Sequence, residues 1–268
     1  MSSASEGRFH TADVSWITSG PRRATLRTSD GIPVEARYEP CEQGPAETAV
    51  VVAHGFTGSL DRPAVRRAAR AFAQRAAVVT FSFRGHGRSG GRSTVGDREV
   101  LDLAAAVAWA RELGHPRVVT VGFSMGGSVV LRHAASHEGR TEARTDAVAA
   151  VSAPARWYYR GTAPMRRLHW VVTRPVGRLV GRYGFGTRIH DRDWDPVPLS
   201  PVESVPLIAP TPLLVVHGDR DPYFPLDHPR SLAAAGPCEL WLEAGMGHAE
   251  NAADDALLAR LTAWLVPG

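Results

Sequence analysis

The chain has no lysine; all 31 of its basic residues are arginine. A phosphate loop needs a lysine at a fixed spacing, so the glycine-rich "RGHGRSGGRS" at 84–93 is not read as a nucleotide cradle. Cysteine is scarce as well. Cys41 and Cys238 stand far apart with no clustered Cys or His, which argues against a disulfide scaffold and against a zinc site. No run of about 18 uncharged apolar residues occurs, so no transmembrane helix is expected. The N-terminal "MSSASEGRFHTADVSW" has neither an apolar core nor a signal-type cleavage pattern. Residues 1–24 are therefore read as a flexible tail of a cytoplasmic protein. Repeats and low-complexity linkers are missing too, and nothing in the sequence calls for a cofactor or a metal.

What is present is ordinary globular material: 268 residues, 44% hydrophobic and 22% charged, within range for one large α/β sheet protein. The formal net charge is +4. It is concentrated, because residues 155–195 hold nine arginines against three aspartates, a local +6 that leaves the remainder at −2. Those arginines follow no recognition motif, so nucleic-acid binding is not expected. "ATLRTSDGIPVEARYEP" reads as two short strands around the hairpin signal Asp30-Gly31. "TAVVVAHGF" and "AVVTFSFRG" are continuous apolar runs, as expected of strands buried on both faces. "RVVTVG", "DAVAAVSAP", "TPLLVVHGD" and "CELWLEAG" supply four more. Between them lie helical segments, among them "DREVLDLAAAVAWARELG", with Asp97 as its expected N-cap and Gly114 at its end. Strands alternating with helices imply a mostly parallel sheet covered on both faces. Residues 155–206 break the alternation. The reading is one α/β core, 25–154 and 207–268, carrying an arginine-rich cap at 155–206.

The chemistry centres on "VVTVGFSMGGSVVLRHAA" at 118–135, where a buried strand turns into a helix through Gly-Phe-Ser-Met-Gly. A serine before a helix is often only an N-cap. Small neighbours on both sides, Gly122 and Gly126, are what a sharply turned nucleophile requires, and Gly127 adds room. Ser124 is thus the candidate nucleophile. Its base should come from a loop at the same carboxyl edge of the sheet. His248 in "EAGMGHAEN" meets that condition, whereas His10, His115, His133, His137, His169, His190 and His228 are read as ordinary surface or core histidines. The orienting acid should leave the preceding strand, where "HGDRDPYFP" offers Asp219 and Asp221. Asp219 follows Gly218 and suits closing the turn; Asp221, followed by Pro222, is favoured. Backbone N–H groups of Met125 and of Phe56 in "AHGFTGS" are the candidate oxyanion donors.

In this order "HGFTG", "FRGHGRSGG", "GFSMGG", "HGDRDPYFP" and "GMGH" resemble the blocks of α/β-hydrolase fold serine hydrolases. The likeness is to bacterial carboxylesterases and monoacylglycerol-lipase-like hydrolases, over about residues 25–265 outside the cap. It implies hydrolysis of small acyl esters by a Ser-His-Asp triad through an acyl-enzyme. Thioester cleavage and acyl transfer use the same triad, and a non-catalytic ligand-binding protein can use the same fold. Ser82 departs from the family, whose related loop often carries an acid there. In the cap, Trp157 and Tyr158 are candidates to line an acyl channel, with Leu168 and Trp170 on an apolar roof. Pro175 should split any cap helix. The cap arginines are either solvated surface or a basic face for anionic substrates or an anionic membrane surface.

Overall fold

The structure is a computed structural model that describes residues 20–136 and 142–267. Residues 1–19 of the expected tail, with His10, and His137 lie outside the described residues. Alternating valines and alanines build the centre of the sheet. In strand β3 (Thr48–Ala53), Ala49, Val51 and Ala53 face one core layer while Val50 and Val52 face the other. Such a strand can only be central, because both faces need apolar cover. The sheet has eight strands in the order β1-β2-β4-β3-β5-β6-β7-β8. Here β1 is Arg22–Arg27, β2 Pro33–Glu39, β4 Ala77–Phe81, β5 Arg117–Phe123, β6 Val148–Val151, β7 Leu213–Gly218 and β8 Glu239–Glu243. The β1–β2 hairpin and the β2–β4 pair are antiparallel; every other pair is parallel.

One layer packs α2 (Glu99–Glu112), α3 (Met125–Ser136) and α7 (Asp227–Ala235) on the sheet through Leu103, Val129 and Leu232. The opposite layer packs α1 (Pro63–Ala73) and α9 (Asp255–Leu265) through Phe72 and Leu261. Because β5, β6, β7 and β8 run parallel side by side in this sheet, the loops that follow β5, β7 and β8 emerge at one edge. Two helices, α4 (Ala163–Thr173) and α5 (Pro175–Gly184), stand between β6 and β7. They separate at Arg174, with Pro175 opening α5, where its missing N–H costs nothing. Among the described residues no helix is long and apolar enough to cross a membrane.

Three boundaries differ from those read in the sequence. Strand β1 begins at Arg22, and Arg22–Ala24 pair with Ala36–Tyr38, so the sheet starts ahead of residue 25. The short helix α6 (Pro201–Ser204) packs on α3, and Val205 sits in the core beside it, so the core resumes ahead of 207. Asp97 is not the N-cap of α2, which begins at Glu99 behind Arg98. The cause is Glu99 itself. Its buried carboxylate accepts from Ser93 Oγ, from the N–H and Oγ1 of Thr94 and from Gly96 N–H, which ties down the preceding loop and sets where the helix starts. Asp97 lies 3.6 Å from the Arg132 guanidinium instead.

At the turn from β5 to α3 the backbone of Ser124 has φ 52°, a left-handed conformation that costs a serine of order 1 kcal/mol or more. The turn also brings three chain segments into contact. A Cβ on Gly122 would lie 2.1 Å from the Gly126 carbonyl oxygen, and one on Gly126 would lie 2.2 Å from that of Ala53. Both obstacles are backbone and cannot swing aside. Gly122→Ala is therefore expected to cost about 3 kcal/mol or more in a urea melt. Gly20→Ala, where a Cβ meets nothing within 4 Å, should stay within about 0.5 kcal/mol.

Candidate active site

The turn aims Ser124 at the carboxyl edge, and its N–H is spent on Val151 O at 2.8 Å. His248 stands just ahead of the short helix α8 (Ala249–Ala252), after β8. Its Nε2 is 2.9 Å from Ser124 Oγ and its Nδ1 is 2.7 Å from Asp221 Oδ2. An ionised carboxylate only accepts, so Nδ1 carries the proton, and Nε2 is left to accept from the serine hydroxyl. Asp221 is fully buried. Its other oxygen accepts from the N–H of Tyr223 at 2.7 Å and of Phe224 at 3.1 Å. Burial alone would raise this carboxyl; the hydrogen bond and charge of His248 and the two N–H groups outweigh it and hold it below the ordinary range. Asp219 points elsewhere, accepting from Gly245 N–H at 2.6 Å in the turn after β8. The structure thus brings Ser124, His248 and Asp221 into one hydrogen-bonded line and leaves Asp219 out of it. Tyr223 covers the imidazole, ring centroids 4.4 Å apart.

Phe56 and Met125 both border the cavity into which Ser124 opens. Among the described residues neither N–H is taken by a hydrogen bond, and Met125 begins α3, so the positive end of that helix faces the same place. The Phe56 loop is held by groups that the sequence did not single out. Gly55 N–H donates to the buried Glu250 carboxylate at 3.1 Å. Two residues after His248, Glu250 therefore joins the loop of the base to the loop of Phe56. On the other side, His54 Nε2 accepts from Phe83 N–H and His86 Nε2 from Thr57 N–H, while their Nδ1–H groups donate to Gly55 O and Arg84 O. Burial, with smaller contributions from neighbouring groups, pushes His54 down to about 3 and His86 down to about 4. Both are neutral structural links. The Ser82 departure also has a structural answer: Ser82 Oγ donates to Glu35 Oε1 at 2.7 Å, so strand β2 supplies the acid that the loop lacks. Arg88 N–H reaches the same oxygen at 2.9 Å.

The cavity has a volume of about 250 Å³. Trp157, Tyr158 and Leu168 line it, together with Met165, Val172 and Phe224. Trp170 does not, which corrects its place on the roof. Met165, Leu168, His169 and Val172 recur at the spacing of one helical face. Trp170, two residues from Leu168, lies on the other side of α4 and is exposed. Among the described residues no group of three or more His, Cys, Asp or Glu is placed to hold a metal ion.

The two buried histidines give stability a pH dependence with a definite sign. Unfolded, each takes a proton near 6.5; folded, they do so only at about 3 and about 4. The unfolded state therefore binds more protons below pH 6.5, and stability falls as the pH falls through that window. The loss at pH 5 is about 2 kcal/mol for each histidine. A urea midpoint that drops between pH 7 and pH 5, and drops less in His86→Gln, is the expected result.

A family model described as the alpha/beta hydrolase fold matches residues 48–174. A monoacylglycerol lipase of Mycolicibacterium smegmatis is 26% identical over 262 residues, covering 81% of this chain and 87% of its own. Among solved structures, an esterase of Pyrococcus furiosus superposes with a TM-score of 0.71 at 20% identity, over 97% of this chain and 96% of its own. An alpha/beta hydrolase of a Penicillium species gives 0.64 at 19% identity, over 85% of this chain and 91% of its own. By fold the chain is an α/β-hydrolase-fold protein, and in sequence it is similar to that family's model and to the monoacylglycerol lipase.

Proposed function

We propose that the chain hydrolyses carboxylic esters with Ser124 as nucleophile, His248 as base and Asp221 as its orienting acid. The observation that carries this reading is the continuous Asp221–His248–Ser124 hydrogen-bond line opening onto an apolar cavity. Ser124 Oγ attacks the ester carbonyl as its proton passes to His248 Nε2. The carbonyl oxygen, now an anion, is met by the Phe56 and Met125 N–H groups, preorganised donors that need no rearrangement at that moment. The tetrahedral adduct collapses, the C–O bond to the alcohol breaks, and the leaving oxygen takes the proton from His248. Water then repeats the sequence on the acyl-serine, releasing the acid and restoring Ser124. Asp221 keeps its charge throughout, stabilising the transient imidazolium.

Residues 156–200 act in this reading as the cap over the acyl site, with Trp157, Tyr158 and Leu168 against the chain of the substrate. A dry cavity of about 150 Å³ holds benzene, so each carbon occupies about 25 Å³. On that scale the 250 Å³ cavity holds about ten non-hydrogen atoms, a medium-chain acyl group. The monoacylglycerol lipase relative supports an acyl ester as the substrate class. No observation favours a thioester or a second acyl acceptor over water.

A fluorophosphonate probe should label the wild type on Ser124 and leave Ser124→Ala unlabelled. Turnover of p-nitrophenyl esters should fall by about 10⁴-fold or more in that variant, with the melting temperature little changed. Retained turnover in purified Ser124→Ala would move the nucleophile elsewhere. The two acids separate in the same assay. Asp221→Asn presents His248 with the wrong partner and should lower kcat by about 10²–10⁴. Asp219→Asn should leave kcat within a few fold and lower stability, since only a turn depends on it.

A further inference from the structure

Apolar side chains scattered over a surface need no explanation; concentrated ones do. Eleven large hydrophobic residues are exposed among the described residues, and six of them fall between 170 and 185: Trp170, Val176, Leu179, Val180, Tyr183 and Phe185. Four of these recur at i, i+3, i+4 and i+7 along α5, forming one stripe. The stripe faces solvent because the helix packs inward by a different face. Gly177 and Gly181 are its buried residues, and a Cβ on Gly177 would lie 2.3 Å from Trp170 O. Helix α5 therefore sits on α4 through glycine and presents its bulky apolar side chains outward, with Tyr183 the most open at 77%. This reverses the usual amphipathic arrangement of a core-facing helix.

Charge accompanies the stripe. Residues 163–184 contain Arg166, Arg167, Arg174, Arg178 and Arg182 and no Asp or Glu. Arg178 is occupied by the carbonyls of Val172 and Thr173 that end α4. Arg182 lies over the Tyr183 ring at 5.4 Å, at the border of the stripe. A second copy of this chain is a poor occupant, because a two-fold contact sets the same patch against itself and so brings arginine against arginine. An apolar stripe bordered by cations matches a lipid interface whose headgroups are anionic and whose acyl chains lie just beneath.

We propose that the outer face of α4 and α5 docks on anionic lipid surfaces. Val176, Leu179, Val180 and Tyr183 enter the interface, and Arg174 and Arg182 meet the phosphates. None of these residues lines the cavity, so the docking surface is independent of the ester chemistry. The two are one helix apart: the opposite face of α4 carries Met165, Leu168 and Val172 into the cavity.

The test is flotation of the full chain with vesicles of phosphatidylcholine alone or mixed with phosphatidylglycerol. The wild type should float with the mixed vesicles, float weakly with phosphatidylcholine alone, and be released as salt rises and the charges are screened. Leu179→Ser with Tyr183→Ser, and separately Arg174→Gln with Arg182→Gln, should each lower partitioning by about tenfold or more. Turnover of soluble p-nitrophenyl acetate should be retained in both pairs and serves as the check that they fold. Ser124→Ala should float like the wild type, which separates this proposal from the ester reading. Failure of the wild type to float with the mixed vesicles overturns it, as does equal flotation with both vesicle types. A wild-type dimer in sedimentation velocity that Leu179→Ser with Tyr183→Ser disperses assigns the stripe to a second copy and overturns it too.

Discussion

Where Gly122, Gly126 and Ala53 meet at the turn from β5 to α3, backbone packs against backbone and leaves no room for a Cβ. Everything at the site is measured from that contact. It draws the start of α3 against the end of β3, so Met125 and Phe56 border one cavity although they are 69 residues apart in the chain. It also holds Ser124 at φ 52°, out of the helix and out of the strand, facing the loops of β7 and β8. A methyl group at either glycine would displace a carbonyl, and interiors packed at crystal density have nowhere to put it.

A strained turn persists only where its surroundings over-determine it. Around the Phe56 loop that restraint is polar and mostly neutral. His54 and His86 each use both ring nitrogens on backbone groups, Nδ1 within its own loop and Nε2 on the facing one, and burial keeps them uncharged. Glu250 closes the third side. A buried hydrogen-bonded group contributes only about 1 kcal/mol net, but leaving its partner unmade costs more, so such links specify one geometry more than they add stability. Arg84 plays the charged counterpart farther out, bonding Asp102 and Asp30 at once and fixing the glycine loop that follows β4.

Helices α4 and α5 divide their labour by face. On α4 one side closes the cavity, and the other accepts α5 through glycines. The side chains left over on α5 are apolar and outward. Two glycines inside a ten-residue helix weaken it by about 1 kcal/mol each relative to alanine. Close packing on α4 is what offsets that cost here.

The order and kind of the core elements were legible in the sequence because strands buried on both faces need short apolar runs rich in β-branched residues, such as TAVVVA and AVVTF, and these alternate with helical segments. The glycine spacing around Ser124 was legible for a similar reason: a close backbone approach excludes every other residue type. Local pattern also predicted a split at Pro175, where α4 ends and α5 begins. It favoured Asp221 over Asp219 as the partner of His248 but did not settle the choice, since both leave the same loop and only the course of the backbone past Gly218 separates them. Nor did it separate Leu168 from Trp170, because both are apolar and only the rotation of α4 against the cavity tells the inner from the outer. Glu35 answering for Ser82, and Glu250 holding Gly55, join residues 47 and 195 positions apart. A hydrogen bond across that separation leaves no local trace in the sequence, and the packing of the sheet alone brings its two ends together.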